Sequence, residues 1–223
     1  MNKKSVVVFD FDGVLTVGGE GLKQKAWDVL ALPWSIRDSN TLFAKIKEIS
    51  GGKGSRYDIL RGTFDSFVPY SMCTLDDVLV LTAAYADCYN TIVQKLLEQS
   101  GMPEGTEEAL KTLAKSCALF VNSATPEKAV RELVCNFNIS HHFQGIFGQP
   151  ISKEDNLARA QHIVHTDHER ILFVGDSDGD AKAAKEFGCD FVGVANDWNK
   201  WAPETVKFPL VRSIAELPKL LWL

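Results

Sequence analysis

The sequence predicts an α/β protein: an open parallel sheet whose chain is interrupted, just after the first strand, by an all-helical insert. Three observations predict it. Short apolar, β-branched runs stop abruptly at polar residues. Helical patterns lie between those runs. The segment 16–100 shows helical spacing and no strand pattern.

Val6–Phe9 is the first such run and ends at Asp10. A continuous apolar run of this length fits a strand buried on both faces, as in a parallel sheet. Runs at 118–121, 171–174 and 191–194 have the same character; the second ends at Asn122-Ser123 and the third at Gly175-Asp176. Helices are expected over 106–115, 126–137, 153–165 and 178–187. Strand and helix in alternation give an open α/β sheet, and ligands of such sheets bind beyond the carboxyl ends of the strands. Asp10, Ser123 and Asp176 all fall there. Within the insert the longest helix is expected over 75–99. Leu81, Tyr85, Cys88, Ile92 and Leu96 make its apolar stripe, and Ser100-Gly101-Met102-Pro103 ends it. The expected division is 1–15 with 101–223 as the core, and 16–100 as the insert.

Composition narrows the function classes. With 45% hydrophobic and 24% charged residues, the 223-residue chain has enough apolar material for a folded core. A net charge of -5 argues against nucleic acid and anionic membrane as partners. An anionic substrate therefore needs local help from a metal ion, a lysine or a helix N-terminus. Five scattered cysteines, never in C-x-x-C spacing, fit reduced thiols of a cytoplasmic protein rather than a disulfide framework. The apolar run near the N-terminus is too short for a leader and ends in acids, and no stretch approaches a membrane span.

Chemistry concentrates in four places. Asp10-Phe11-Asp12-Gly13 sets two carboxylates two residues apart after a strand, where extended backbone gives them one face. Such a pair supplies one nucleophile and one proton donor and acceptor. Gly175-Asp176-Ser177-Asp178-Gly179-Asp180 repeats the theme. It is not an EF-hand loop: counted from Asp176, position six is Ala181 and position twelve Phe187. Helix capping by Ser177 or Asp178 accounts for part of it, but not for three acids in five residues. A hard-cation site accounts for the rest. In Asn122-Ser123-Ala124-Thr125-Pro126, Pro126 reads as the first helical residue and Thr125 as its N-cap with no catalytic part. Ser123, at the strand end, can hold a phosphate oxygen with nearby backbone N–H groups. Lys153 follows Ser152, a natural N-cap. Taken alone it reads as a solvated residue, although a cation there opposes the helix dipole and points to an acidic partner.

In this order the four pieces resemble the haloacid dehalogenase-like (HAD) hydrolase superfamily: an apolar strand ending D-x-D-G, a strand ending in Ser or Thr, a lone Lys, then G-D-x-x-x-D. The likeness runs from Val6 to Phe191, and Met102-Pro103-Glu104-Gly105 looks like the return to the core. It implies a Rossmann-like core with a helical cap, in the manner of phosphoglycolate phosphatases and β-phosphoglucomutases. It also implies roles. Asp10 would be the nucleophile that becomes an aspartyl-phosphate. Asp12 would protonate the leaving group, deprotonate water, and offer its backbone carbonyl to Mg2+. Ser123 and Lys153 would hold the phosphoryl group. Asp176 would be a metal ligand, and Asp180 a ligand through water or a partner for Lys153. Aspartate is ionised at neutral pH, so the nucleophile is expected to need no activation beyond relief from phosphate repulsion.

Asp12 separates branches of this superfamily, because the dehalogenases it resembles lack a second Asp. The implied function is a magnesium-dependent phosphatase of a small phosphorylated metabolite. A sugar phosphomutase and a non-catalytic binding protein are the alternatives. The loop Gly51-Gly52-Lys53-Gly54-Ser55-Arg56 looks somewhat like the basic cap loop of the phosphomutases, which makes Lys53 and Arg56 candidate substrate contacts. Its other reading is a glycine loop with solvated charges. His162, His165 and His168 read as solvated or capping groups and His141-His142 as surface. Trp198 and Trp201, in Asn196-Asp197-Trp198-Asn199-Lys200-Trp201, read as packing anchors or a partner patch, with Asp197 a further candidate near the metal.

Overall fold

A computed structural model describes residues 4–31 and 55–222, and Lys53 lies outside them. The chain divides into two compact units, Met1–Gly21 with Leu97–Leu223, and Leu22–Leu96.

The first unit is a six-stranded sheet in the order β3-β2-β1-β4-β5-β6, with every neighbouring pair parallel. The strands are β1 (Val6–Phe9), β2 (Ala118–Pro126), β3 (Gly145–Gln149), β4 (Ile171–Gly175), β5 (Asp190–Val194) and β6 (Leu210–Val211). β1 is central and wholly buried. Its β-branched residues suit a strand covered on both faces. The register sets Phe9 beside Val121 on one side and Val174 on the other. Asp10, Asn122 and Gly175 therefore emerge together at one edge. The backbone N–H of Asp10 still donates to the Val174 carbonyl at 2.8 Å, which ties the first acid to the strand bearing the second acidic loop.

Two strands, β3 and β6, were not expected. β6 has only two residues, too short for any pattern to show. β3 reads G-I-F-G-Q, and its glycines mask the apolar signal. At Gly148 a Cβ would come within 2.4 Å of the Thr125 carbonyl and 2.7 Å of the Glu127 backbone, so the close approach of β3 to the end of β2 requires glycine.

Helices α4 (Thr106–Leu113), α5 (Glu127–Asn136), α6 (Lys153–Val164), α7 (Asp178–Phe187) and α8 (Leu217–Trp222) belong to this unit. Leu157 and Ala160 of α6 and Ala183 and Ala184 of α7 pack with Val6, Val8, Ile171 and Phe173 in one buried cluster. Burying a leucine of this kind contributes about 2 kcal/mol. The alanines let the two helix backbones lie close to the sheet.

In the second unit the described elements are helical: α1 (Gly19–Ala31, its first turn in the other unit), α2 (Arg56–Asp65), a 3-10 turn at Val68–Tyr70, and α3 (Leu75–Ser100, its last turn in the other unit). The apolar stripe expected on α3 is displaced by about one residue. Val78, Thr82, Ala86, Tyr89, Val93 and Leu97 are the buried positions, while Cys88 is exposed and Leu81, Tyr85, Ile92 and Leu96 are half-buried. The helix is apolar on several sides, with Leu79 and Val80 exposed, so spacing alone did not fix its rotation. Packing did. Tyr89 lies 4.3 Å from Trp27 ring to ring and donates its hydroxyl to the Lys23 carbonyl, and Tyr85 meets Phe64 edge-on at 5.2 Å.

Candidate active site

β1 ends at Phe9, and the chain turns at once. The Phe11 carbonyl accepts from the backbone N–H groups of Leu15 and Thr16 and from the Thr16 hydroxyl. Extended backbone thus does not persist to Asp12, and the alternation argument for a shared face fails. The turn nevertheless leaves both carboxyls buried. Gly13 sits in it at φ +79°, where an added Cβ would lie 2.1 Å from Asp176 Oδ2. Only glycine lets the first acidic loop approach the second so closely.

Asp10, Asp176 and Asp180 each offer one carboxylate oxygen, and these atoms lie within 4.8 Å of one another. Lys153 joins them. Its ammonium is 3.0 Å from Asp10 Oδ1 and pairs more tightly with Asp180 Oδ1. This lysine heads α6, capped by Ser152, whose hydroxyl accepts from the Asp155 N–H. It is mostly buried rather than solvated. Asn122 fixes where α6 begins: its amide donates to the Lys153 carbonyl at 2.8 Å, and fully buried Asn156 donates back to Asn122 Oδ1 at 3.1 Å.

Asp180 divides its two oxygens. Oδ1 faces Lys153, while Oδ2 accepts from the Ser177 N–H and hydroxyl in a capping box that starts α7. Ser177 is thus the cap. Asp180 is wholly buried, whereas Asp178 is exposed.

Crowded acids shift one another's protonation. Burial, and next the Asp180 charge, push the Asp10 carboxyl up to about 8; Asp12 and Asp176 add to this, and Lys153 opposes it. Burial acts most strongly on Lys153 and would lower its pKa, but Asp10 and Asp180 together outweigh that and hold it above the ordinary lysine value. The expected ionised, unassisted nucleophile is therefore not what the protein alone provides. Asp10 needs a further positive charge nearby. Three hard oxygen donors around a partly uncompensated negative charge fit a divalent cation of the magnesium or calcium kind.

Ser123 is buried, and its hydroxyl accepts from the Thr125 N–H at 3.0 Å. Thr125 is not an N-cap. Pro126 occupies that position and α5 begins at Glu127, so the proline falls one place earlier than expected. The Thr125 hydroxyl instead donates to Asp12 Oδ2 at 3.1 Å. In the other unit Arg56 opens α2, donates to Asn90 and lies 5.9 Å from the Tyr89 ring centre. A cavity of about 450 Å³ adjoins the turn, lined among others by Gly13, Thr16, Pro103, Asn196, Trp198 and Arg212. Asn196 and Asn199, unassigned in the sequence, both reach Asp176.

The family model for haloacid dehalogenase-like hydrolases matches residues 60–194, more than half of the chain. The chain belongs to this family. HAD-family solved structures share its fold. One is that of a HAD-hydrolase from Bacillus subtilis bound to magnesium, to which this chain is similar at 16% identity and TM-score 0.70 over 100% of both chains. Another is a predicted phosphatase from Clostridium acetobutylicum, at 19% identity and TM-score 0.64 over 98% of both chains. A third is the L-2-haloacid dehalogenase of Xanthobacter autotrophicus, at 17% identity and TM-score 0.60 over 98% of both. No curated protein matches. As a HAD-family hydrolase the chain has the Rossmann-like α/β core, but the fold is common to phosphatases and dehalogenases alike. Among the described residues no helix is long and apolar enough to cross a membrane.

Proposed function

We propose that this HAD hydrolase is a magnesium-dependent phosphatase of a small phosphorylated metabolite. The observation that carries the reading is the pair of buried acids after β1. Asp10 lies in the cluster with Lys153, while Asp12 is held by the Thr125 hydroxyl. Displacing an alkoxide needs a proton, and a second buried acid can deliver one. A displaced halide needs none.

Asp10, Asp176 and Asp180 would hold the cation, with the Asp12 carbonyl contributing. When bound, Mg2+ neutralises charge on the phosphate and keeps Asp10 ionised. An Asp10 oxygen attacks phosphorus, the P–O bond to the leaving group breaks, and Asp12 gives its proton to the departing oxygen. Asp12 then takes a proton from water as the water oxygen attacks the aspartyl-phosphate, which releases inorganic phosphate and restores Asp10. Lys153 and Ser123 hold the phosphoryl oxygens throughout. Such a reaction is mostly positioning and charge neutralisation, which matches a set of acids gathered around Lys153 at the strand ends. The second unit is read as the cap that selects the substrate, with Lys53 and Arg56 as contacts. Five free cysteines fit a reducing, cytoplasmic setting.

A phosphate-release screen over metabolites, with magnesium or with EDTA, tests the proposal. Magnesium-dependent release that Asp10→Asn abolishes is the expected result. Isomerised sugar phosphate without release would identify a mutase. Silence across the panel would leave a binding role. Unchanged specificity constants in both Lys53→Ala and Arg56→Ala would remove those two residues from the substrate site.

A further inference from the structure

The stretch after β5 combines polar and aromatic residues in a way the reaction above does not use. We infer that Asn196, braced by Asn199, is a positioning residue that presents the Asp176 carboxylate to the cation; this rests on the metal reading of the cluster. The hydrogen bonds fix which way the Asn196 amide points. Its Oδ1 accepts from the Trp198 and Asn199 N–H groups, both at 2.9 Å. Two N–H donors can be met only by oxygen, so the NH2 end must face the other way. There it donates to Asp176 Oδ2 at 2.9 Å.

Asn199 holds the same aspartate by its backbone. Its NH2 donates to the Asp176 carbonyl at 2.8 Å and to the Val194 carbonyl at 2.9 Å. Its Oδ1 accepts from the N–H groups of Asn196 and Trp201, both at 3.1 Å. Trp201 then anchors the loop, meeting Phe208 edge-on at 5.0 Å and Phe191 at 6.3 Å. The side chain and main chain of Asp176 are thus tied to β5 by two crossed amides. A carboxylate oriented in advance loses less freedom on binding a metal, and partners of this kind are typically worth ~10–100-fold in affinity.

The test is magnesium binding by isothermal titration, beside metal-free melting temperatures in EDTA, for the unaltered protein, Asn196→Ala, Asn196→Ser and Asp176→Asn. Serine keeps a short acceptor for the loop N–H groups but does not reach Asp176. It carries the test if alanine impairs folding. Both Asn196 variants are expected to bind magnesium ~10–100-fold more weakly, with the serine variant's metal-free melting temperature close to that of the unaltered protein. An unchanged dissociation constant in a folded Asn196 variant overturns the inference while leaving the metal site intact. No magnesium binding by the unaltered protein, or full-strength binding by Asp176→Asn, overturns the metal reading and the inference with it.

Discussion

Asp10→Asn should do more than stop turnover: it should change how the metal-free protein responds to pH. Asp10 titrates near its ordinary value of 3.8 when unfolded and at about 8 in the fold. The raised value means that the native state favours the protonated acid. Stability is therefore greatest below the unfolded value and falls as pH rises through the folded one. Each pH unit between the two costs about 1.4 kcal/mol. From pH 5 to pH 8 the loss is on the order of 4 kcal/mol, or roughly 10 °C in melting temperature for a chain of this length. Asparagine keeps the shape and cannot ionise, so the variant should escape this slope. The assay is a series of thermal melts in EDTA across that range, with and without added magnesium. The unaltered protein should lose ground steadily against Asp10→Asn as pH rises, and saturating magnesium should restore it. Parallel pH profiles for the two proteins in EDTA would refute the burial argument for Asp10.

Other perturbations follow from the same geometry. Lys153→Met strands Asp10 and Asp180 without their ammonium and should cost about 3–5 kcal/mol in the metal-free protein near pH 8, read by denaturant titration, with phosphate release lost. Asp12→Asn should lower kcat by roughly 10²–10⁴-fold on alkyl phosphates and less on p-nitrophenyl phosphate, whose leaving group needs no proton. Thr125→Val removes one hydrogen bond to Asp12, so kcat should fall about 5-fold with KM unchanged, and Thr125→Ser should restore it. Gly13→Ala drives a Cβ into Asp176 Oδ2 and should abolish magnesium binding seen by calorimetry.

Much of the fold was legible because a central parallel strand has an unmistakable composition. Val6–Phe9 has no polar position, since both of its faces are covered. β3 was not legible, because the glycines that let it approach β2 carry no strand signal. The rotation of α3 was misread for the opposite reason: a helix apolar on several sides offers more than one stripe, and only its neighbours select among them. At the site, aspartates at strand ends are conspicuous since acids seldom cluster without cause. Asn196 and Asn199 are not, because an asparagine in a loop looks like turn chemistry until its partner is known; Asn122 in β2 and Asn156 in α6 are not, because a single polar residue inside a strand or helix carries no motif. Thr125 was hidden by the proline beside it. That proline suggested a helix start one residue too early, and so a capping role for a hydroxyl that instead serves Asp12. Nor could the sequence show that Asp10 is the acid raised, with burial as the main cause, because that depends on how deeply the fold sets this carboxyl and which acids it brings beside it.

The central claim is that the Asp10 carboxylate itself accepts the phosphoryl group, and trapping that intermediate tests it most directly. Borohydride reduces an acyl phosphate to an alcohol and so converts a phosphorylated aspartate to homoserine. Protein quenched during turnover of acetyl phosphate with magnesium, then reduced and digested, should carry homoserine at position 10, and none when magnesium is withheld. Phosphate release accompanied by an intact aspartate at that position, or by homoserine elsewhere in the chain, would contradict the account.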